Sequence, residues 1–249
     1  MLIKSKVKYI QSLSQKKLRD EEGVFVAEGP KIVEDLIRSA NAVVVEIFAT
    51  KEWIADSIEL LNGINGLINQ IDKPTLERIS FLSTPNQVLG IFRKPPFDDH
   101  RNFKGKISLM LDTIQDPGNM GTIIRCADWF GIQYIICSRE CADAFSPKVV
   151  QATMGSISRV QVIYSDLLPF IEEHQIIPVY ATTLKGDSVY ELSPVTEGFI
   201  LFGNESKGID ETIFKKAKFH ITIPKAGKAE SLNAAVAAGI ILSALSYRL

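Results

Sequence analysis

Three short segments of this chain collect residue types that can hold a ligand and carry charge. The first is Asp116-Pro117-Gly118-Asn119-Met120-Gly121, with Arg125 one helical turn further on. The second is Gly203-Asn204-Glu205-Ser206-Lys207-Gly208. The third runs from Ile223-Pro224-Lys225-Ala226-Gly227 to Ser231-Leu232-Asn233. Each starts where an apolar run ends. Loops at strand ends of an open α/β sheet converge on a crevice, and ligands sit there. Glycine lets backbone amides approach a ligand closely, and Asn, Glu, Ser and Arg supply directional polar contacts. The chemistry on offer is a polar ligand gripped by backbone, with a guanidinium within reach.

The elements that position these loops follow from periodicity. Met120, Ile123, Ile124, Ala127 and Phe130 form one apolar helical stripe, which turns Arg125 to the opposite side. Gly131 suits the helix stop. From the stripe alone, Arg125 reads equally as a solvated arginine or as a guanidinium held at a crevice. Phe199 to Phe202 is a continuous apolar run and therefore a buried strand ahead of the second loop. That loop lacks the Gly-Lys-Ser/Thr ending of a P-loop, and no Gly-x-Ser-x-Gly nucleophile elbow occurs. No Gly-x-Gly-x-x-Gly follows a strand, which disfavours a dinucleotide enzyme. The bland reading of the second loop is a cap, with Asp210 opening the next helix. Ser231 or Asn233 can cap the last helix. Residues 234–242 are small and apolar on every side, so that helix needs cover all round, and a partner subunit would provide it.

The rest of the chain alternates. In the first part, helices are expected at 4–19, 30–40, 54–61 and from Lys73, with strands at 24–27, 43–49 and 87–92. In the second part, strands are expected at 107–112, 132–137, 160–164, 177–182, 199–203 and 219–223. Helices fall at 119–130, 147–158, 166–174, 210–217 and 231–248. This pattern implies a mostly parallel sheet covered on both faces, preceded by a small α/β sandwich. Pro95-Pro96 lies in a charged stretch, so residues 95–105 read as a linker between a domain at 1–94 and one at 106–249.

Composition narrows the class. The 249 residues are 46% hydrophobic and 23% charged, as in an ordinary globular protein. No apolar run is long and clean enough for a membrane span, and the N-terminus lacks the apolar core of a secretory signal, so the cytoplasm is the expected address. Cys126, Cys137 and Cys141 suggest free thiols rather than a disulfide scaffold. His100, His174 and His220 are scattered, and no metal site is expected. A net charge of −1 gives no global support for a nucleic-acid partner. Locally, Lys4, Lys6, Lys8, Lys16, Lys17 and Arg19 precede the first acidic residue, Asp20. They form either a solvated helix face or a phosphate-binding patch.

Taken together, the three segments closely resemble the three motifs of the SpoU/TrmH-type RNA ribose methyltransferases of the SPOUT superfamily. The motifs are Asn119-x-Gly121-x-x-x-Arg125, Phe202-Gly203-Asn204-Glu205-x-x-Gly208, and Ile223-Pro224-x-x-Gly227-x-x-x-Ser231-Leu232-Asn233. A weaker resemblance lies in residues 25–29 and 84–89, similar to that family's ribosomal-protein-like substrate-binding domain. The resemblance implies a parallel sheet with a trefoil knot, a homodimer formed through the C-terminal domain, and S-adenosylmethionine bound in the knot. It implies Arg125, Asn119 and Glu205 as catalytic residues. Gly203, Ile223 and Leu232 would hold the adenine end, with Thr182 and Asn233 lining the same pocket. The implied reaction moves a methyl group to a ribose 2′-hydroxyl of RNA, rRNA first and tRNA as the alternative, with no metal. A guanidinium stays protonated, so Arg125 is expected to stabilise the alkoxide or position a phosphate rather than act as a base. The rival is a non-catalytic RNA-binding protein of the same fold. Lys225 departs from the apolar residue many relatives carry there.

Overall fold

The computed structural model describes residues 2–96 and 101–246. The chain divides into two compact units, residues 1–97 with 143–158, and residues 98–142 with 159–249. The linker expected at 95–105 falls partly on 97–100, outside the described residues, as does His100.

The first unit opens with α1 (Lys4–Ser12) and α2 (Lys16–Glu22) in place of the single helix expected over 4–19. The break has a physical cause. Arg19 is buried, and its guanidinium donates to the carbonyls of Leu13 and Ser14, both at 2.7 Å. Carbonyls left open where a helix stops are thereby satisfied. The same guanidinium pairs with Asp143, so its charge is neutralised inside the unit. Of the N-terminal cations, Lys6 pairs with Glu46 at 2.7 Å and Lys17 with Glu21 at 3.8 Å. Arg19 therefore belongs to the core and not to a phosphate-binding patch.

β1 (Val24–Glu28) leads into α3 (Pro30–Arg38), which carries Pro at its first turn and buries Ile32, Val33 and Leu36. β2 (Val43–Ala49) is followed by α4 (Lys51–Asp56). The helix expected at 54–61 thus starts earlier, because the Thr50 side chain caps it by accepting from Trp53 N–H. β3 (Ile68–Gln70) was not expected. α5 (Lys73–Ile79) is capped by Asp72, and β4 (Val88–Arg93) closes the sheet. Strand order is β1-β4-β2-β3, antiparallel except for β2 with β3. Val26, Phe48, Leu76, Ile79, Leu89 and Ile91 lie at the centre of its core.

The second unit holds a six-stranded, fully parallel sheet. β5 (Ile107–Leu111) leads into α6 (Pro117–Trp129) and β6 (Tyr134–Cys137). The chain then lends α7 (Pro147–Thr153) to the first unit, where it packs on β1. The helix expected over 147–158 ends early because Met154 (φ 52°) and Gly155 (φ 94°) leave helical space. β7 (Gln161–Tyr164), α8 (Leu167–Glu173), β8 (Val179–Ser188) and β9 (Gly198–Phe202) follow. α9 (Glu211–Phe214), β10 (Phe219–Thr222) and α10 (Ala234–Ser246) complete the unit. β8 runs six residues past the expected end at 182, since Asp187 and Ser188 pair with Ile221 and Thr222 after a register shift. α10 starts at Ala234, not 231, and residues 247 and 248 of the expected helix lie outside the described residues.

Strand order is β10-β8-β9-β5-β6-β7. From β5 the chain winds one way to β6 and β7, while β9 lies on its other side, so a switch point falls between β5 and β9. Met110, Ile136, Ile163, Phe199 and Leu201 alternate onto one face, where they meet Phe170 of α8 and Ile213 of α9. α6 and α10 pack together, and α6 buries Met120, Ile123, Ile124 and Ala127 completely. Gly131, with φ of 71°, stops α6 where expected. No helix among the described residues is long and apolar enough to cross a membrane.

Candidate active site

The first loop is set by its own cap. Asp116 accepts the Asn119 backbone N–H at 2.8 Å, and Pro117 occupies the first helical position. This fixes Asn119 at the start of α6, half-buried at the head of the sheet. In the third loop Asn233, not Ser231, caps α10. Its Oδ1 accepts from Ala235 N–H at 3.0 Å and Val236 N–H at 3.2 Å. That commitment leaves only the Nδ2 of Asn233 to donate elsewhere, and it donates to Asn119 Oδ1 at 2.8 Å. Asn119 then has only its own Nδ2 free, and this donates to Glu205 Oε1. Each amide orientation is forced by the one before it. The result is a one-way relay, Asn233 to Asn119 to Glu205, that joins the third, first and second loops and ends on a carboxylate.

Arg125 stands apart from this relay. It is exposed on α6, and among the described residues no hydrogen bond or ion pair engages its guanidinium. The structure therefore brings Asn119, Glu205 and Asn233 together but leaves Arg125 unpartnered among the described residues.

Thr182 lies within β8, one residue past its last pairing with β9, while Gly203 and Ile223 directly follow β9 and β10, the two neighbours of β8. Gly203 is packed on backbone: a Cβ there would lie 2.4 Å from the Gly208 carbonyl carbon and 2.5 Å from Ile209 N. Leu232 is 46% exposed ahead of α10. Residues 224–233 are all exposed, and among the described residues no backbone N–H from 225 to 233 donates a hydrogen bond. Free backbone donors and acceptors beside a half-exposed leucine suit a flat heterocycle with polar edges, which is the chemistry of adenine. Lys225 does not extend outward, as its Nζ donates to Ala229 O at 2.9 Å and closes the turn.

A cavity of about 670 Å³ opens past the C-terminal ends of β5, β6, β7 and β9, lined by Asp112, Arg139, Asp166, Asn204, Lys207 and Asp210 among others. None of the eight candidate residues lines it. The candidate residues instead gather on exposed loops, with residues 224–233 open to solvent. Cys126, the residue after Arg125, is half-buried, and burial raises its thiol pKa. Sequence reasoning missed Asp112 and Thr113, which lie between an apolar strand and the first loop and carry no motif.

A parallel sheet with polar loops converging at its strand ends, joined to a smaller mixed-sheet unit, is the layout of a two-part α/β enzyme. The model of the SpoU rRNA Methylase family matches residues 106–243, and that of the MRM3-like substrate binding domain matches residues 4–90. The chain belongs to the SpoU rRNA methylase family, as its three motifs led one to expect. It is 32% identical over 240 residues to the 23S rRNA (guanosine(2553)-2'-O)-methyltransferase RlmP of Bacillus subtilis, covering 95% of this chain and 94% of that protein. The AdoMet-bound rRNA methyltransferase from Sinorhizobium meliloti superposes with a TM-score of 0.86 and 32% identity, over 100% of this chain and 97% of that one. The AdoMet complex of the SpoU methyltransferase AviRb from Streptomyces viridochromogenes shares the fold, with a TM-score of 0.84 at 22% identity, over 99% and 98% of the two chains.

Proposed function

We propose that this protein transfers the methyl group of S-adenosylmethionine to a ribose 2′-hydroxyl of ribosomal RNA, in the cytoplasm. The observation that carries the reading is the relay from Asn233 through Asn119 to Glu205, which ties the three motif loops together; Arg125, exposed on α6, has no hydrogen bond or ion pair among the described residues. The family membership and the rRNA specificity in the names of its relatives support the same substrate.

Bound in the crevice, the donor supplies a methyl group already activated on a positively charged sulfur. Gly203, Ile223 and Leu232 would hold its adenine end, the free amides of the third loop meeting the edge acceptors, with Thr182 at the wall. The protein's remaining task is to place the ribose and manage charge. The relay spends the hydrogen-bonding capacity of two asparagines on fixing one carboxylate, so Glu205 meets the ribose in a set orientation. Arg125 stays cationic and is free to stabilise the oxygen as its proton leaves, or to hold an adjacent phosphate.

The first unit supplies recognition of the RNA. The active form is a homodimer built on α6 and α10. Trp129 is 84% exposed at the end of α6, and Val236 is 50% exposed on a helix whose residues 234–242 are all apolar. A partner's apolar surface would cover these two residues.

The test is transfer of labelled methyl groups to purified rRNA and, separately, to tRNA, followed by digestion to nucleosides. The reading expects 2′-O-methyl nucleosides from rRNA. Label recovered only from tRNA would move the substrate, and no label from either would favour the non-catalytic binding protein.

A further inference from the structure

Two residues past the end of β5, Thr113 has a φ of +59°. Residues branched at Cβ rarely adopt that conformation, and it persists only where contacts on every side hold it. All its polar groups are held. Its N–H donates to Ser138 Oγ at 3.0 Å, its hydroxyl to Asp112 Oδ1 at 2.9 Å, and its carbonyl accepts from Asn204 Nδ2 at 2.9 Å. Asp112 is buried and uses its other oxygen to accept Asp210 N–H at 2.7 Å, while its own N–H donates to Phe202 O at 2.8 Å. The end of β5 is thus pinned to β6 and to both sides of the turn that follows β9.

Asn204 is fully committed as well. Its Oδ1 accepts from Ser206 N–H at 2.9 Å and Lys207 N–H at 3.1 Å. Its backbone exchanges two hydrogen bonds with Gly208, at 3.0 and 2.8 Å. Glu205 is therefore flanked by fixed backbone on both sides, although its own side chain is exposed. The Nδ2 bond ties Asn204 to the loop after β5, on the carbonyl of a residue held in left-handed space.

We infer that Asn204, anchored on the strained Thr113 carbonyl, is a positioning residue that aims Glu205 at Asn119 and the acceptor ribose. The inference rests on the methyl-transfer reading of Glu205. Asn204 touches no reacting atom in this scheme. It acts by denying the turn the shift of about 1 Å that can cost 10²-fold in rate.

Asn204→Asp isolates the tie. The aspartate keeps an acceptor for Ser206 and Lys207 but sets a carboxylate oxygen against the Thr113 carbonyl. Rates are measured for Asn204→Asp, Glu205→Ala and the double variant in the purified protein. Asn204→Asp should lower kcat by roughly 10–10²-fold and move the KM for S-adenosylmethionine less than about 3-fold. In the Glu205→Ala background it should cost no more than about 2-fold further, since the residue through which it acts is gone. Multiplying losses, a raised KM at unchanged kcat, or a wild-type rate for Asn204→Asp each overturn the inference while leaving Glu205 in its role. A wild-type rate for Glu205→Ala overturns both. If Asn204→Asp does not fold, Asn204→Ala, which removes the tie without setting an oxygen against the Thr113 carbonyl, replaces it. A kcat loss that vanishes in the Glu205→Ala background supports the inference, and a loss that multiplies overturns it.

Discussion

Replacing Gly203 by alanine adds one methyl group at the most crowded backbone position of the crevice. That carbon would sit 2.4 Å from the Gly208 carbonyl carbon, 2.5 Å from Ile209 N and 2.6 Å from Gly208 O. Carbon contacts settle near 3.5–4.0 Å, so the turn must retreat by about 1 Å. Every atom met is backbone, so no side chain can rotate away, and the turn is tied by the Asn204–Gly208 pair. Overpacking of this kind costs about 1–3 kcal/mol. At about 2–4 °C per kcal/mol for a chain of this size, the melting temperature should fall by roughly 2–12 °C. A displacement of that size at the loop bearing Glu205 should also cut turnover by about 10²-fold. Gly227→Ala is the control, because nothing lies within 4 Å of its added carbon and its φ is not in the left-handed region. Its stability should stay within about 0.5 kcal/mol of wild type. The assays are thermal unfolding and single-turnover methyl transfer. A Gly203→Ala protein that melts with the wild type and transfers at its rate would refute the packing argument.

Other expectations follow from particular contacts. Asn119→Asp replaces the relay's central donor with a second carboxylate facing Glu205, and should lower kcat by at least about 10-fold in steady-state assays while the protein still melts cooperatively. Under the homodimer proposed above, the wild type should sediment at twice the chain mass and Trp129→Glu as a monomer, and a mass unchanged by the substitution would place the interface elsewhere. The Glu28 carboxyl is buried, accepts from Ser80 and from Phe81 N–H at 2.8 Å, and has its pKa raised above the ordinary 4.5 by that burial. An acid raised on folding contributes stability below its unfolded value and loses it as pH climbs through the folded one. The wild type should therefore lose stability relative to Glu28→Gln as pH rises from about 4.5. A constant difference across that window in denaturant titrations would contradict the assignment.

The elements that sequence reasoning reached are those with a local cause. Phe199 to Phe202 is legible as a buried strand because nothing in it is polar, and Gly131 and Asp210 are ordinary stop and start signals. The break between α1 and α2 is not legible, because the guanidinium that sets it is neutralised by Asp143, 124 residues away. β3 is three residues long and too short to show a period. The site divides the same way. Residue types and loop positions were readable, and the motif resemblance named Asn119, Glu205 and Asn233. Their mutual bonds span 86 and 114 residues and needed the fold. The left-handed Thr113 gives no sign in the sequence at all, since threonine is a poor fit to the conformation it holds.

The most direct test of the central claim is a map of 2′-O-methylated riboses in rRNA from cells lacking this protein. One ribose methyl group should be missing there, restored by the wild-type gene and not by Arg125→Ala. An unchanged methylation map, or full restoration by the alanine variant, would contradict it.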